Sequence, residues 1–591
     1  MKPASAGTPG YDVAIVGAGI AGSLMAAQLV SRGLRVVLLE AGDDLFFDTT
    51  TGVSNIQPLL ERYYGSIYKV PNSPYPNLGH APSPTLTTLN KYYVQQGPLA
   101  FGSDYIRIAG GSTRHWLGLC PRLDPGTFQE RTLYGRAVDW PITYNDLEDW
   151  YYAAEKELGV AGDDENQGLA GVPPRKPGHK YPLPPIPQTY SDRVVAQAVE
   201  GLTFQSDEAS PPVPVQVSST PAARNSIPYD GRPPCQGSGS CIPICPTGAK
   251  YDASVHLKRA LGVDPRNLEE PSLARERVTY IPKAVLKEIV LDDPEALHPK
   301  VSELVFKRSA SEDDNLRVQA RLYVLAIHAM EIPKVLLASR GQRAHGVANS
   351  SGRVGRYLMD HDIAITHARL SQPLYPFRGP RITSSIEGFC DGPFRRRHSA
   401  FRPELANVGT AWETNAPFSN VIARVAQGLT GKALREQVAW DSTAVIHIDA
   451  MIEPEPHFES RVFPSRLTDH WGLPRPEIQY RVGEYSQRGR EAFIKLVKAI
   501  YGRLGAREQD IFEVPGWFGS GHVMGTTRMG QDPKTSVCDS FGLTHDHPNL
   551  YLAGSSLFPT VGTANPTLTL AALALRTAHE IERRLRHGLP A

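Results

Sequence analysis

Apolar and polar positions follow several distinct rhythms along this chain. Residues 11–17 read YDVAIVG, an apolar run of strand length, and pass through GAGIAG into SLMAAQLVSRG, whose apolar residues recur at helical spacing. LRVVLLE follows as a second buried strand ending at Glu40, so the spacing predicts a strand–helix–strand unit at the start. Residues 43–100 are rich in Pro, Tyr, Asn and Gly with little periodicity, which predicts a long irregular excursion over that unit. DLEDWYYAAEKELGV predicts a helix, ended by a Pro-rich break over residues 168–187. Between residues 278 and 326 the runs KAVLKEIVLDD and KVSELVFKR alternate well enough for a meander, and VLAIHAMEIPKVLLAS reads as strand, turn and helix. Residues 361–515 mix strand-like runs (TAVIHIDAMIE, PEIQYRV) with one good helix, REAFIKLVKAIYGRLG. NLYLAGSSLFP and TLTLAALALRTAHEIERRLRH then return to the opening α/β pattern.

These elements predict an α/β protein with a Rossmann-like nucleotide domain assembled from discontinuous segments. Residues 1–145, 225–360 and 516–591 are expected to build it, with 146–224 an excursion belonging to the second unit and 361–515 an α+β substrate domain. Gly17, Gly19 and Gly22 form G-x-G-x-x-G directly after a strand and before a helix. Each glycine has a task there: a tight turn, backbone access to a pyrophosphate, and close packing of helix on strand. Glu40 ends the next strand eighteen residues after Gly22, where an acceptor for ribose hydroxyls belongs. The fingerprint leaves NAD and FAD equally open.

With 62 Lys plus Arg against 61 Asp plus Glu in 591 residues, no long-range field draws nucleic acid or an anionic membrane. The run Arg395, Arg396, Arg397 is expected to be a solvated loop. The start, MKPASAGTPGYD, has no apolar signal region and no stretch is apolar for the length of a bilayer, so the chain taken alone is expected in the cytoplasm without a membrane span. Six cysteines are too few for a disulfide scaffold at this size, and three fall within eleven residues.

His522 lies in GHVMGTTRMG and Asn565 in GTANPTLTLAALAL, immediately before a proline and a strongly helical run. Together with GAGIAG, AGGSTRHW at 109–116 and VLAIHAMEIP at 324–333, in that order, they make a chain that resembles the glucose–methanol–choline (GMC) flavoenzymes, in their sugar-oxidising branch. That branch holds pyranose oxidase and the bacterial FAD-dependent glucose, sorbitol and fructose dehydrogenases. The resemblance implies an FAD-binding domain and a substrate domain whose sheet faces the flavin. It makes His522 the base that takes the hydroxyl proton and Asn565 a hydrogen-bond partner of the same oxygen. Pro566 and Thr567 would open a helix aimed at the flavin N1/O2 edge. Gly110, Gly111, Ser112, His115 and Trp116 would approach the isoalloxazine, with FAD held non-covalently, and Ala41, Val285, Ala326 and Gly554 would complete the cofactor site. This sequence departs from the family in two places: His328 stands where glycine is usual, and Gly521 precedes His522 where FAD-glucose dehydrogenases have asparagine. The second departure argues against glucose itself.

Cys235, Cys241 and Cys245 form C-x5-C-x3-C-P in a loop rich in Gly and Ser, a pattern suited to iron–sulfur ligation. Three ligands suit a [3Fe–4S] cluster, and the bacterial FAD-sugar dehydrogenases carry such a segment. Zinc with His256 as fourth ligand, or a disulfide plus one thiol, are the alternatives. Cys120, Cys390 and Cys538 are expected to be ordinary packed residues. The resemblance thus implies an FAD and [3Fe–4S] dehydrogenase of a sugar, glycoside or polyol hydroxyl, passing electrons to an external acceptor. The alternatives are an O₂-using pyranose-oxidase-like enzyme, an amino-sugar alcohol oxidase, or a flavin-bearing electron-transfer subunit without its own chemistry. Relatives pair with a small export subunit and a cytochrome, which leaves periplasmic residence by co-export open.

Overall fold

The computed structural model describes residues 10–42, 94–97, 99, 101, 103, 105–239, 241, 242, 245–263, 271–309, 311, 313–408, 418–469 and 471–588. The expected excursion over 43–100 lies almost wholly outside the described residues. Five strands form one parallel sheet in the order Leu550–Leu552, Ala320–Leu325, Tyr11–Val16, Val36–Leu39, Val278–Ile281. Their interior side chains are apolar on both faces, as in buried parallel sheets. Met25, Ala26 and Leu29 of the helix Ile20–Ser31 cover Val13, Ile15, Val36 and Leu38. On the other face the antiparallel strands Val285–Leu291, Val301–Lys307 and Asn315–Val318 bring Leu286, Ile289, Leu304, Phe306 and Val318 into the cluster with Ala14, Val16, Val37 and Leu39. Strand order reverses at Tyr11–Val16, whose neighbours are the second strand on one side and a much later one on the other. Crevices beyond the carboxyl ends of strands at such a reversal are where open α/β sheets bind ligands.

The helices Ile20–Ser31 and Thr567–His587 pack on this sheet and on each other. The helix Tyr144–Leu158 packs against Thr567–His587, and its Leu147, Tyr151, Ala154 and Leu158 share a core with Ala14, Val16 and Leu24. It therefore belongs with the nucleotide layer, although residues from 146 were expected in the second unit. A capping box starts it: Thr143 and Asp146 satisfy each other's backbone N–H.

The second unit centres on a seven-stranded sheet, with Phe401–Ala406 and Val445–Ile452 antiparallel at its middle. Alternation sorts its two faces. Ile446, Ile448, Ala450 and Ile452 bury themselves against Phe493, Leu496, Val497, Ile500 and Tyr501 around the helix Glu484–Arg503. The opposite face turns Glu404, Ala406, Asp449 and Met451 toward the nucleotide layer. Residues 461–479 leave this sheet: Arg461–Thr468 and Pro474–Gln479 pair with Val94–Gln96 in a separate small one. No helix among the described residues is long and apolar enough to cross a membrane.

In the basic run, Arg396 and Arg397 are exposed as expected, and Arg395 departs from expectation. Arg395 is fully buried, ion-paired with Glu130 (2.9 Å), Asp391 (3.0 Å) and Glu453. Three acidic side chains distant from one another in sequence converge on it, so its charge is compensated inside the protein rather than by water.

The glycine turn yields a test. A Cβ on Gly22 would lie 1.9 Å from the Gly17 carbonyl oxygen, whereas a Cβ on Gly19 meets nothing within 4 Å. Gly22→Ala is therefore expected to lower the thermal midpoint, through overpacking of about 1–3 kcal/mol or more. Gly19→Ala should keep the midpoint of the cofactor-free protein but lose dinucleotide, because its methyl enters the ligand space. Thermal unfolding and bound-cofactor absorbance on both variants check the contrast.

Candidate active site

A cavity of about 560 Å³ opens where the carboxyl ends of Tyr11–Val16 and Ala320–Leu325 meet the polar face of the second sheet. Gly17, Gly19, Glu40, Ala41, Gly111, Val285 and Ala326 line it near the strand ends. Ser112, His115, Trp116, Gly554, Pro566 and Thr567 line it further along, and His522 and Asn565 complete it. Gly22 and Gly110 stand behind this wall. Gly22 packs on Gly17, and the Gly110 N–H donates to the Ala18 carbonyl at 3.0 Å.

The residues fit a dinucleotide. Glu40 is held by N–H donors from Ala18 to Oε2 and from Gly42 to Oε1, both at 2.8 Å, which leaves a lone pair on each oxygen for ribose hydroxyls. Burial raises its pKa against those two donors. Gly17 has φ +101°, and a Cβ there would lie 2.5 Å from the Ala326 carbonyl oxygen, so only glycine lets the two strand ends meet.

His522 and Asn565 come from segments forty-three residues apart and meet at 3.2 Å, His522 Nε2 to Asn565 Nδ2. Behind them lies a residue the sequence reading missed: His361 Nδ1 is 3.0 Å from His522 Nδ1, and His361 Nε2 is 3.0 Å from the Gly562 carbonyl. The carbonyl can only accept, so His361 carries its proton on Nε2, and its Nδ1 accepts from His522 Nδ1–H. His522 Nε2 is then unprotonated, and on the cavity wall it accepts the Asn565 Nδ2–H. The other end of the chain agrees: Arg402 Nη2 donates to Asn565 Oδ1 at 2.5 Å and to Glu404 Oε1 at 2.5 Å, which turns the amide N–H₂ toward His522. Burial, then His361, then the Arg402 charge hold His522 well below the usual imidazole pKa, and burial holds His361 at about 4. Both rings are neutral, and His522 is set up as a proton acceptor beside an N–H donor.

Asp360 fixes the same histidine through its backbone. Its Oδ1 accepts from the His522 N–H (2.9 Å) and from Ser520 Oγ (3.0 Å), and its Oδ2 accepts from Ser103 Oγ, which in turn accepts from Gly521 N–H at 3.0 Å. Glu404 and Asp449 stand directly opposite each other on paired strands and line the cavity with Arg381. Burial pushes Asp449 up to about 7. The alternating charge in RPELA and HID was the available signal for this polar face.

The six cysteines are free thiols, and Cys120, Cys390 and Cys538 are buried as expected. Cys235, Cys241 and Cys245 share one loop beside the cavity, which Ile242 lines. Among the described residues, their sulfurs do not all come within 4.8 Å of one another, whereas thiolates on a single zinc sit about 3.8 Å apart given Zn–S bonds of about 2.3 Å. His256 is engaged elsewhere, with Glu157 and Tyr251 each at 2.8 Å, so the zinc alternative loses its fourth ligand. Two buried cations face the loop: Arg224 Nη1 lies 3.7 Å from Cys241 Sγ, and Lys250 Nζ donates to the Cys241 carbonyl at 2.8 Å. Burial lowers Lys250 to about 8. Burial works to raise Cys245, but hydrogen bonds from Lys250 and Thr247 and the Lys250 charge bring its thiol below the usual value.

Residues 456–574, which contain both His522 and Asn565, match the family model described as GMC oxidoreductase, and residues 12–167 match one described as FAD dependent oxidoreductase. The chain is 33% identical, over 98% of both chains, to a fructose dehydrogenase large subunit of Gluconobacter japonicus. This chain belongs to the GMC oxidoreductases. As a member of that family it is an FAD-dependent oxidoreductase acting on CH–OH groups. It is also 26% identical to a paromamine 6'-oxidase of Streptomyces fradiae, over 97% of this chain and 91% of that one. Among solved structures, a pyridoxine 4-oxidase from Mesorbium loti shares the fold with a TM-score of 0.60 at 17% identity, covering 97% of this chain and 99% of the other.

The Arg402 contact makes a pH test of this GMC site. Proton removal needs neutral His522, so the rate falls as pH drops through its pKa, and deleting a neighbouring cation raises that pKa. Arg402→Met is therefore expected to move the acid limb of the flavin-reduction rate to higher pH. Stopped-flow bleaching across pH measures it, and an unmoved limb removes Arg402 from control of the base.

Proposed function

We propose that this chain oxidises a hydroxyl group of a sugar, glycoside or related polyol and delivers the electrons, by way of a [3Fe–4S] cluster on Cys235, Cys241 and Cys245, to an external acceptor. The observation that carries the reading is the pairing, across one cavity, of the His522–Asn565 couple with a sheet face bearing Glu404, Asp449 and Arg381. A substrate rich in hydroxyls finds donors and acceptors there, and the fructose dehydrogenase and paromamine oxidase among its relatives act on such molecules by name.

When bound, FAD supplies the hydride acceptor at N5. The chain does the rest. His522 Nε2 takes the hydroxyl proton, Asn565 Nδ2–H holds the oxygen, and His361 Nδ1 steadies the imidazolium that forms by accepting its Nδ1–H. Pro566 and Thr567 place a helix N-terminus on the cavity, where its partial positive charge favours negative charge gathering nearby.

What supports the cluster is charge. Arg224 and Lys250 are buried, and neither pairs with a carboxylate among the described residues, so the loop beside them calls for an anion. Three thiolates on an iron–sulfur core supply one. The likeness to a chain named as a large subunit supports a partner subunit, and the reading extends to a small one bearing an export signal and a cytochrome acceptor.

His522→Ala should keep FAD but slow its reduction by substrate by about 10²–10⁴-fold, the usual contribution of a positioned base. Asn565→Ala should lose less, since the base remains. Cys241→Ser should remove iron while leaving flavin reduction intact and collapsing turnover with the acceptor. Iron content, EPR and acceptor-dependent turnover decide: iron-free wild-type protein with full turnover on O₂ would replace the cluster by the oxidase reading.

A further inference from the structure

His328 sits in the turn between the strand Ala320–Leu325 and the helix Glu331–Ala338, two residues past the Ala326 carbonyl that Gly17 touches. Its φ is +80°, in the left-handed region that residues with a side chain enter only at a cost. The backbone there is engaged: the His328 carbonyl accepts from the N–H groups of Glu331 (3.2 Å) and Ile332 (3.1 Å), starting the helix. Glycine would serve that turn without strain. Something therefore repays the imidazole.

The ring has three neighbours. Tyr105 stacks on it, with centroids 4.3 Å apart and planes 17° from parallel. Its Nδ1 accepts from Met330 N–H at 3.4 Å, so in the neutral ring the proton sits on Nε2. The third is the cavity, which His328 lines together with Gly17, Glu40 and Ala326. Nε2 has no hydrogen-bond partner among the described residues. Burial holds the imidazole at about 4, so it is a neutral donor at working pH.

Pairing with the adjacent carboxylate does not account for the ring. Glu331 is taken by Arg107 (2.8 Å), Lys334 (2.5 Å) and Tyr105 Oη. Nor does packing alone, since a side chain serving only to pad Tyr105 has no need of a polar edge on the cavity. We propose that His328 is a cofactor-binding residue of this chain, its Nε2–H donating to an acceptor atom on the nucleotide half of FAD. The contact stands apart from substrate and cluster and rests only on FAD binding.

The test separates contact from architecture. In holoenzyme diluted into buffer, flavin fluorescence reports FAD release and far-ultraviolet circular dichroism reports unfolding. His328→Gly, which relieves the left-handed backbone, is expected to release FAD about tenfold faster, what loss of one buried hydrogen bond brings, with an unfolding midpoint equal to or above wild type. His328→Gln, whose side-chain N–H₂ reaches the place of the imidazole Nε2, is expected to stay within about threefold of wild type. Release from His328→Gly at the wild-type rate overturns the proposal. So does faster release that merely tracks a lowered unfolding midpoint.

Discussion

One unbranched chain of hydrogen bonds sets the chemistry of this protein. It runs from the Gly562 carbonyl through His361, His522 and Asn565 to Arg402 and Glu404. Its ends leave no choice, because a carbonyl only accepts and a guanidinium only donates. Read from either end, the same proton pattern results, with His522 Nε2 unprotonated and accepting from Asn565 Nδ2–H. Change either end and the base could turn its N–H to the substrate instead.

The fold is what brings the two ends together. Gly562 and Asn565 precede the helix Thr567–His587 of the nucleotide layer, while Arg402 and Glu404 lie on the second sheet. His361 enters that sheet directly beside Asp360, so one dipeptide grips both the ring and the backbone of His522. The sheet can present charged groups because alternation leaves its other face largely apolar against the helix Glu484–Arg503, where Thr366 and the Tyr501 hydroxyl satisfy each other at 3.0 Å. Stability and substrate contact are thus assigned to opposite faces of the same strands.

Local pattern made part of this legible. The opening strand, turn and helix, the Glu40 terminus and the His522 and Asn565 motifs all depend on neighbours a few residues away, and the structure places them around one cavity. Long-range partners were a different matter. His361 reads as one polar residue in DHD, and nothing within its own segment says that Gly562 and His522 will stand on its two nitrogens. Arg395 shows the same limit from the other side. A run of three arginines ordinarily means solvent, yet Glu130 and Glu453 arrive from distant segments to join the nearby Asp391 around Arg395. The helix Tyr144–Leu158 followed its predicted span, but its partner, Thr567–His587, lies more than four hundred residues later, so its layer could not be read locally.

The electrostatics of His522, the base proposed above, look unfavourable until the reaction is considered as a whole. A general base works best with a pKa near the working pH, yet burial and Arg402 push His522 well below that. Each unit of depression corresponds to about 1.4 kcal/mol against the protonated ring. The benefit is that the resting ring stays unprotonated to lower pH than a free imidazole would. The cost falls when a hydride leaves the substrate, because negative charge then enters the cavity beside the imidazolium and offsets the arginine. Glu404 and Asp449 face each other across paired strands on the cavity wall, where burial raises both carboxyls. His361 adds an acceptor behind the ring that is ready before the proton arrives. The base is therefore weak when the cavity is idle and strengthens as charge moves, which ties proton removal to hydride departure through the field of the site.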